Sequence, residues 1–248
     1  MAADFRLGIQ SYCFRKFLSL PDLIASLKRV SLHYVELWPG HQSPDADASA
    51  LQQVLHQLAA NGISMESYGQ VKFTTDQQAS RRVFEFCRMA GVKAITADVD
   101  PDACRLTDTL CDEYDINVAI HNHGRKHRYG TMAQLDALFA RTTRRFGLCL
   151  DTAWLLDAGE DPIAAVHRYA DRLYGVHLKD FAFDAAGKPV DVIVGTGGLD
   201  LPALVRDLND MDYAGYLSLE YEGNPDSPLP EVIQCVQAVQ RAIEALAE

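Results

Sequence analysis

The sequence lacks any long apolar run, because its hydrophobic residues are interrupted by polar ones along the whole length. A helix that spans a membrane needs about 18 or more consecutive apolar residues, so no membrane helix is predicted. The first residues also lack the apolar core and small-residue cleavage site of a secretory signal peptide. We therefore expect a cytoplasmic protein that does not associate with membranes.

Basic residues are scarce, since 23 Lys and Arg stand against 34 Asp and Glu and give a net charge of -11. Proteins that bind nucleic acids normally present a basic face, so no nucleic-acid partner is expected. The six cysteines include no C-x-x-C pair, which argues against a disulfide framework or a cysteine metal site. With 48% hydrophobic residues, the composition is that of a globular protein, and a small molecule is the expected partner.

No stretch rich in Pro, Gly or Ser divides the 248 residues, so we expect one domain over residues 1–248. Short β-branched apolar runs alternate with stretches of helical spacing. The apolar runs predict strands at 6–12, 33–38, 63–68, 92–98, 116–121, 146–151, 173–178 and 216–220. The stretches between and after them predict helices at 21–30, 50–60, 80–90, 102–114, 132–140, 162–170, 202–208 and 229–247.

Eight strand–helix units in about 250 residues favour an α/β fold of the single (β/α)8 TIM barrel type. An open doubly wound sheet uses the same alternation, but it usually has a glycine-rich turn after its first strand. Here Ser11-Tyr-Cys-Phe follows that strand instead. The later Gly195-Thr-Gly-Gly lacks the G-x-G-x-x-G spacing of a dinucleotide site, so no NAD is expected.

Acidic residues and histidines lie at the ends of most predicted strands, where a TIM barrel places its active site. They are Glu36, Glu66, Asp98, His121, His123, Asp151, His177 and Glu220. Asp151 ends an apolar run with no basic neighbour in sequence, and a metal ion would balance its charge. The predicted ligands are His121, Asp151, His177 and Glu220, with His123 as the alternative to His121. Two imidazoles and two carboxylates suit Mn²⁺, Zn²⁺ or Co²⁺ better than Mg²⁺.

Motifs along nearly the whole chain share a pattern with a known family. They are Leu7-Gly-Ile-Gln-Ser-Tyr, Val35-Glu-Leu-Trp, Ala119-Ile-His-Asn-His-Gly, Cys149-Leu-Asp-Thr, Val176-His-Leu-Lys-Asp, Gly195-Thr-Gly-Gly-Leu-Asp and Leu219-Glu. The chain thereby resembles the xylose-isomerase-like TIM barrel superfamily of sugar phosphate isomerases and epimerases. The resemblance implies one divalent ion per chain, with Mn²⁺ as the first expectation and Zn²⁺, Co²⁺ or Mg²⁺ as alternatives. His121 stands where the family's fifth strand has a metal-binding glutamate.

The resemblance implies an isomerase or epimerase that removes a proton next to a metal-polarised carbonyl of a sugar, keto-sugar or sugar phosphate. Glu220 and His121 are the expected acid and base, with His123 in reserve. Because His121 replaces a glutamate, a symmetric relay between two carboxylates is not expected. A lyase or dehydratase acting on a keto-sugar or inosose-type substrate is therefore the main alternative. A hydrolase of the AP endonuclease class and a non-catalytic sugar-binding barrel are further alternatives, which the acidic charge and the intact ligand residues disfavour.

Three other polar residues near the strand ends are candidates for catalysis or substrate binding. Glu36 is interpreted as a base, as a ligand of a substrate hydroxyl, or as a partner that orients a metal-binding histidine. Lys179 and Asp180 either orient a reaction intermediate or pair with each other.

Trp154 and a basic loop complete the predicted site. Trp154 follows the sixth strand, where many relatives have a histidine, and it offers a stacking face to a sugar ring. Arg125 and Arg128 belong to a basic loop that either binds a substrate phosphate or carboxylate or is merely solvated. Homo-oligomers are common among relatives, and that state is left open for this chain.

Overall fold

The computed structural model describes residues 5–247 as alternating strands and helices. The strands are β1 (Leu7–Gln10), β2 (Tyr34–Leu37), β3 (Ser64–Phe73), β4 (Ala94–Val99), β5 (Asn117–His121), β6 (Phe146–Asp151), β7 (Leu173–Leu178), β8 (Phe181–Phe183), β9 (Pro189–Asp191) and β10 (Tyr216–Leu219). The α-helices are α1 (Leu20–Arg29), α2 (Ala48–Ala60), α3 (Gln77–Ala90), α4 (Cys104–Tyr114), α5 (Met132–Phe139), α6 (Thr152–Asp157), α7 (Pro162–Arg168), α8 (Leu201–Asp210) and α9 (Leu229–Glu244). Short 3-10 helices cover Ser11–Phe14, Ala170–Arg172 and Ala245–Ala247.

Eight parallel strands close into a barrel in the order β1-β10-β7-β6-β5-β4-β3-β2. Strand β1 pairs with both β10 and β2, so the sheet has no free edge. Strands β8 and β9 form a separate antiparallel hairpin after β7. The predicted TIM barrel is confirmed, and the open doubly wound alternative is wrong because its sheet would not close.

Local sequence signals explain where the helices begin and how they pack. The Ser19 side chain accepts a hydrogen bond from the Asp22 N–H at the start of α1, and Leu23 and Leu27 are buried on one face of that helix. Thr131 and Gln134 form a reciprocal capping box at the start of α5. Buried apolar side chains from strands and helices then form one large core cluster. No helix in residues 5–247 is long and apolar enough to cross a membrane.

Strand pairing brings the ends of three neighbouring strands to one level. Asp151 at the end of β6 lies opposite His177 of β7 in the sheet register. Glu220 directly follows β10, and its N–H donates to the Leu178 carbonyl of β7 at 3.1 Å. The carboxyl ends of the strands, which we call the mouth of the barrel, therefore gather these three side chains.

Strand β3 extends beyond the predicted limit of residue 68, and this changes the position of Glu66. Because β3 ends only at Phe73, Glu66 lies near the start of the strand. There its carboxylate accepts from Arg6 Nη1 at 2.7 Å. The prediction that Glu66 lies at the mouth is wrong, since Arg6 precedes β1 at the opposite end of the barrel.

Candidate functional site

Four side chains meet at the mouth, one from the end of each of four neighbouring barrel strands. They are His121, Asp151, His177 and Glu220, and one nitrogen or oxygen atom from each lies within 4.8 Å of the other three. His121 Nε2 is 3.5 Å from Asp151 Oδ2 and 4.0 Å from Glu220 Oε2. His177 Nδ1 is 3.4 Å from the same oxygen of Glu220. The structure thus brings together the four residues that the sequence named as ligands.

The atoms that face one another in this group fit a divalent cation. Asp151 Oδ2 and His177 Nδ1 are buried and have no hydrogen-bond partner within the described residues. Buried polar atoms without partners cost free energy. Ligand atoms about 2.1 Å from an ion lie about 3.4 Å apart in a tetrahedral site, close to the shorter separations here. A cation among them would pair these atoms and balance two buried carboxylates.

Glu36 at the mouth end of β2 fixes the orientation of the His177 ring. Its Oε2 lies 2.8 Å from His177 Nε2, and its side chain is fully buried. A carboxylate at Nε2 favours the proton on that nitrogen and leaves the Nδ1 lone pair for a metal. Of the three predicted roles for Glu36, this geometry supports orientation of the histidine. It does not support a direct catalytic contact, because Glu36 binds the ring through the nitrogen that does not face the other ligands.

Replacing Glu36 with glutamine is expected to weaken metal binding about 10- to 100-fold, because a neutral amide no longer holds the Nε2 proton as a carboxylate does. Competition with a metal-binding dye measures this affinity. Glu66→Gln is the matched control, since Glu66 pairs with Arg6 at the other end of the barrel. Equal affinities of Glu36→Gln and the wild type would contradict the orienting role.

Lys179 places a buried positive charge beside the ligand group. Its ammonium lies 3.5 Å from Glu220 Oε2 and also binds the carboxylate of Glu222. Burial alone would lower the pKa of Lys179, but the carboxylates of Glu220, Asp151 and Glu222 raise it above its usual range. Burial likewise would raise the pKa of Glu220, but the charge of Lys179 brings it well below its usual range. Lys179 therefore pairs with glutamates rather than with its sequence neighbour Asp180.

Asp180 holds the loop that leads into α8. Its Oδ2 accepts hydrogen bonds from the N–H groups of Gly195 and Gly197 at 3.0 and 2.8 Å, and its Oδ1 accepts from Leu199 N–H at 3.0 Å. A Cβ at position 197 would lie 2.7 Å from Asp180 Oδ1, so this close approach requires glycine. The predicted contact of Asp180 with substrate is not supported, because both oxygens are occupied by the loop.

A cavity of about 330 Å³ opens over the ligand group, and we call it the metal cavity. Its lining consists of Gln10, Tyr12, Trp38, Gln70, His121, His123, Trp154, His177, Glu220 and Glu222. This volume falls in the range of small-molecule sites. Aromatic rings and polar side chains around the ligand group can hold a polar ring-shaped molecule.

Trp154 and His123 form a stacked pair in the wall of the metal cavity. Their ring centroids are 4.6 Å apart and their planes are inclined by 31°. Gly124, with φ of +63°, lets the chain turn directly after His123, where a Cβ would lie 2.8 Å from the Trp154 ring. His123 thus lies beside the cavity, while His121 lies in the ligand group.

Five cavity residues were not among the predicted site residues. They are Gln10, Tyr12, Trp38, Gln70 and Glu222. Tyr12 and Trp38 close two predicted strand segments, so the rule that strand ends meet at the mouth already pointed to them. Gln70 lies in the part of β3 that the sequence pattern missed.

The two arginines of the predicted basic loop both bind carboxylates. Arg125 Nη2 lies 2.8 Å from Asp157 Oδ1 and 3.2 Å from the Gly187 carbonyl oxygen. Arg128 Nε donates to Asp98 at 3.0 Å, and its Nη1 lies 2.8 Å from Asp100. The predicted substrate contact of Arg128 is not supported, because its guanidinium is shared between two aspartates. Neither arginine lies in a merely solvated loop.

Comparison with known proteins finds relatives of the chain in sequence and in fold. A family model described as a xylose isomerase-like TIM barrel matches residues 24–242. The rhizopine catabolism protein MocC of Rhizobium meliloti is 29% identical over 136 residues, which are 48% of this chain and 40% of that relative. Inosose dehydratase of Geobacillus kaustophilus is 30% identical over 135 residues, which are 47% of this chain and 42% of that relative. The chain therefore spans less than half the length of these curated relatives.

A solved structure of the IolI protein with a bound zinc atom has a similar fold. Its TM-score is 0.75 at 15% identity, and the match covers 96% of this chain and 98% of that one. At this identity, the similarity concerns the fold of the whole barrel.

Proposed function

The chain belongs to the xylose isomerase-like TIM barrel family, and from that premise we propose that it is a divalent-metal-dependent isomerase or epimerase of a sugar or keto-sugar. The observation that carries the proposal is the convergence of four ligand atoms within 4.8 Å at the mouth. In TIM barrel enzymes, catalytic residues come from this end of the strands. The zinc atom in the IolI protein and the sugar-related names of the relatives support the same reading.

The residues that would hold the ion are His121, Asp151, His177 and Glu220. A bound divalent ion polarises a substrate carbonyl and stabilises the negative charge that develops on its oxygen. Glu36 keeps His177 in the orientation that this requires. We keep Mn²⁺ as the first expectation and Zn²⁺ and Co²⁺ as alternatives, because the donor set mixes imidazoles and carboxylates.

Proton transfer is assigned to side chains on two sides of the metal cavity. The Glu220 carboxylate, kept ionised by Lys179, takes the proton from the carbon next to the carbonyl. The second group is His123, which follows β5 and lines the metal cavity. Strands β7 and β6 separate β5 from β10, which precedes Glu220, so the two groups lie on different sides of the cavity. Groups on two sides of the substrate allow a proton to leave on one side and return on the other, or at the adjacent carbon. This arrangement supports epimerisation or isomerisation.

Substrate binding is assigned to the aromatic side chains of the cavity. Tyr12 follows β1 and Trp38 follows β2, and both line one side of the cavity. Trp154 follows β6 and lines another side. The apolar face of a sugar ring packs well on such aromatic faces.

A dehydratase is the second candidate function, and the imidazole of His121 in place of a second glutamate carboxylate in the ligand group favours it. Elimination of a hydroxyl group needs one base and one acid rather than two matched bases. The relative named inosose dehydratase is consistent with this outcome.

Deuterium exchange into a panel of keto-sugars tests the proposal and separates the two outcomes. In D₂O, the metal-loaded protein is expected to exchange the hydrogen next to the carbonyl, because both reactions begin with its removal. Mass spectrometry then shows an isomeric product for an isomerase or epimerase, and a product lighter by one water for a dehydratase. Removal of the metal by a chelator should stop the exchange. A metal-loaded protein that exchanges no keto-sugar hydrogen would overturn the proposal.

A further inference from the structure

We propose that the substrate carries an anionic group, a phosphate or a carboxylate, which binds in a second cavity next to the metal cavity. This inference rests on the proposed function, since it extends the substrate of the same site. The second cavity has a volume of about 620 Å³, and we call it the basic cavity. Its charged side chains are Arg125, Lys126 and Lys188, with Asp157 as the acidic one.

The two cavities are adjacent because they share two lining residues. His123 and Trp154 contribute to both. Their stacked rings, with centroids 4.6 Å apart, form a common wall between the ligand group and the basic side chains. A substrate that reaches across the edge of these rings would place its carbonyl over the ligand group and an anionic substituent among the cations.

The basic cavity contains more positive charge than its own acidic residue balances. Asp157 is committed to Arg125, whose Nη2 lies 2.8 Å from its Oδ1. The lysines that form ion pairs in residues 5–247 are Lys16, Lys72 and Lys179. Lys126 and Lys188 therefore form no ion pair in that part of the chain, although backbone hydrogen bonds and the charge of Lys188 together lower the pKa of Asp184, which lies in the same turn but outside the cavity lining. In a protein with a net charge of -11, such a local excess of cations is what an anion site requires.

The two chain segments that carry the cations are held together by hydrogen bonds. Arg125 ties the loop after β5 to the hairpin turn, because it donates both to Asp157 and to the Gly187 carbonyl oxygen at 3.2 Å. The Asp157 side chain is only 7% exposed, and it also accepts from the Arg125 N–H at 3.1 Å. The cations are thus supplied by two segments that are fixed to each other before any ligand binds.

Lys188 of the hairpin lines the basic cavity, whereas Arg128, which the sequence suggested as an anion-binding residue, does not. Arg128 is bound by Asp98 and Asp100 and lies outside the lining of the basic cavity. Lys188, in the turn between β8 and β9, occupies the position of a third cation instead. Phosphate and carboxylate groups share the chemistry that Arg and Lys recognise, so both belong to the proposal.

Binding measurements on the metal-loaded protein test the inference without relying on turnover. The probes are fructose 6-phosphate, glucuronate and fructose, which carry a phosphate, a carboxylate and no charge. We expect at least one anionic probe to bind about tenfold or more tightly than fructose, because two unpaired lysines face it. The preference should decline as salt is raised, since exposed charges are screened over about 8 Å at physiological ionic strength.

The double variant Lys126→Gln/Lys188→Gln is expected to lose this preference and to keep the affinity for fructose. Its matched control is Lys28→Gln/Lys93→Gln, which removes two exposed lysines that lie outside both cavities. The control should keep the preference. Because all four lysines are exposed, neither variant is expected to unfold, and thermal melting checks this.

Failure of the inference is distinguishable from failure of the proposed function. If fructose binds as tightly as both anions, or if both double variants behave alike, the anion site is overturned, while metal binding and deuterium exchange still support the proposed function. If the charge-dependent preference is also seen for a protein that takes up no metal and exchanges no keto-sugar hydrogen, the anion site stands and the proposed function fails. A preference for phosphate over carboxylate, or the reverse, identifies which of the two sources the cavity serves.

Discussion

Asp151→Asn is expected to lower the affinity for divalent metal more than about 100-fold and to abolish deuterium exchange. Loss of a residue that only supports a metal ligand already costs 10- to 100-fold, and this substitution removes a ligand charge itself. Asp151 also begins α6, where its Oδ1 accepts from the Trp154 N–H at 2.8 Å. Asparagine serves equally well at that helix position, so the fold should survive. The substitution therefore isolates the metal-binding role of Asp151.

Elemental analysis of bound metal measures this effect after growth with Mn²⁺, Co²⁺ or Zn²⁺. We expect about one ion per wild-type chain and almost none in Asp151→Asn or in the Asp151→Asn/His177→Ala double variant. The control is Asp161→Asn, which makes the same change at the start of α7, where the side chain accepts from the Ile163 N–H at 2.9 Å. Full metal content in Asp151→Asn would refute the assigned ligand set. Two or three ions per wild-type chain would instead favour the AP-endonuclease-like alternative.

Glu220→Gln is expected to slow proton exchange by about 10² to 10⁴ at saturating metal, the range that a positioned base contributes. Glutamine preserves the shape of the side chain but cannot accept the proton. The matched variant is Glu222→Gln, because Glu222 also pairs with Lys179 but lies outside the group of four ligand atoms. Any effect of leaving Lys179 with one carboxylate is common to both variants. The excess loss in Glu220→Gln therefore reports on Glu220 itself.

Single-turnover exchange in D₂O, measured at several metal concentrations, separates loss of metal from loss of the base. For Glu222→Gln we expect less than about a tenfold decrease, since it removes only an ion-pair partner at the cavity wall. Equal rates for Glu220→Gln and Glu222→Gln would remove Glu220 from its role as the base. His123 would then be the next residue to replace.

The fold was predictable because each long element carries its own periodic pattern. Strands β6 and β7 begin and end where the apolar runs do, at Phe146–Asp151 and Leu173–Leu178. Strand β3 was cut short because its register shifts between Tyr68 and Val71, where Gly69 and Gln70 break the apolar pattern. Helix α6 and the hairpin were missed because six- and three-residue elements are too short to show a period.

The position of the candidate site was predictable, because the ends of the barrel strands determine it, but the contacts between its side chains were not. The convergence of the ligand group follows from the barrel itself, since every strand ends at the same mouth. The partner of each side chain does not follow, because Glu36 and His177 are 141 residues apart and no local pattern records their contact. The partners of Arg128 do not follow either, since these aspartates lie about 30 residues earlier in the chain.

The segment between β7 and α8 lies outside the closed sheet of the barrel. Asp191 at the end of β9 accepts from the Glu222 N–H at 3.2 Å, and the Lys188 turn borders the basic cavity. The ligand-bearing ends of β5, β6, β7 and β10 belong to the closed sheet and do not depend on the length of this excursion. A hairpin of different length or charge would therefore change the lining of the basic cavity and leave the four ligand residues at the strand ends in place.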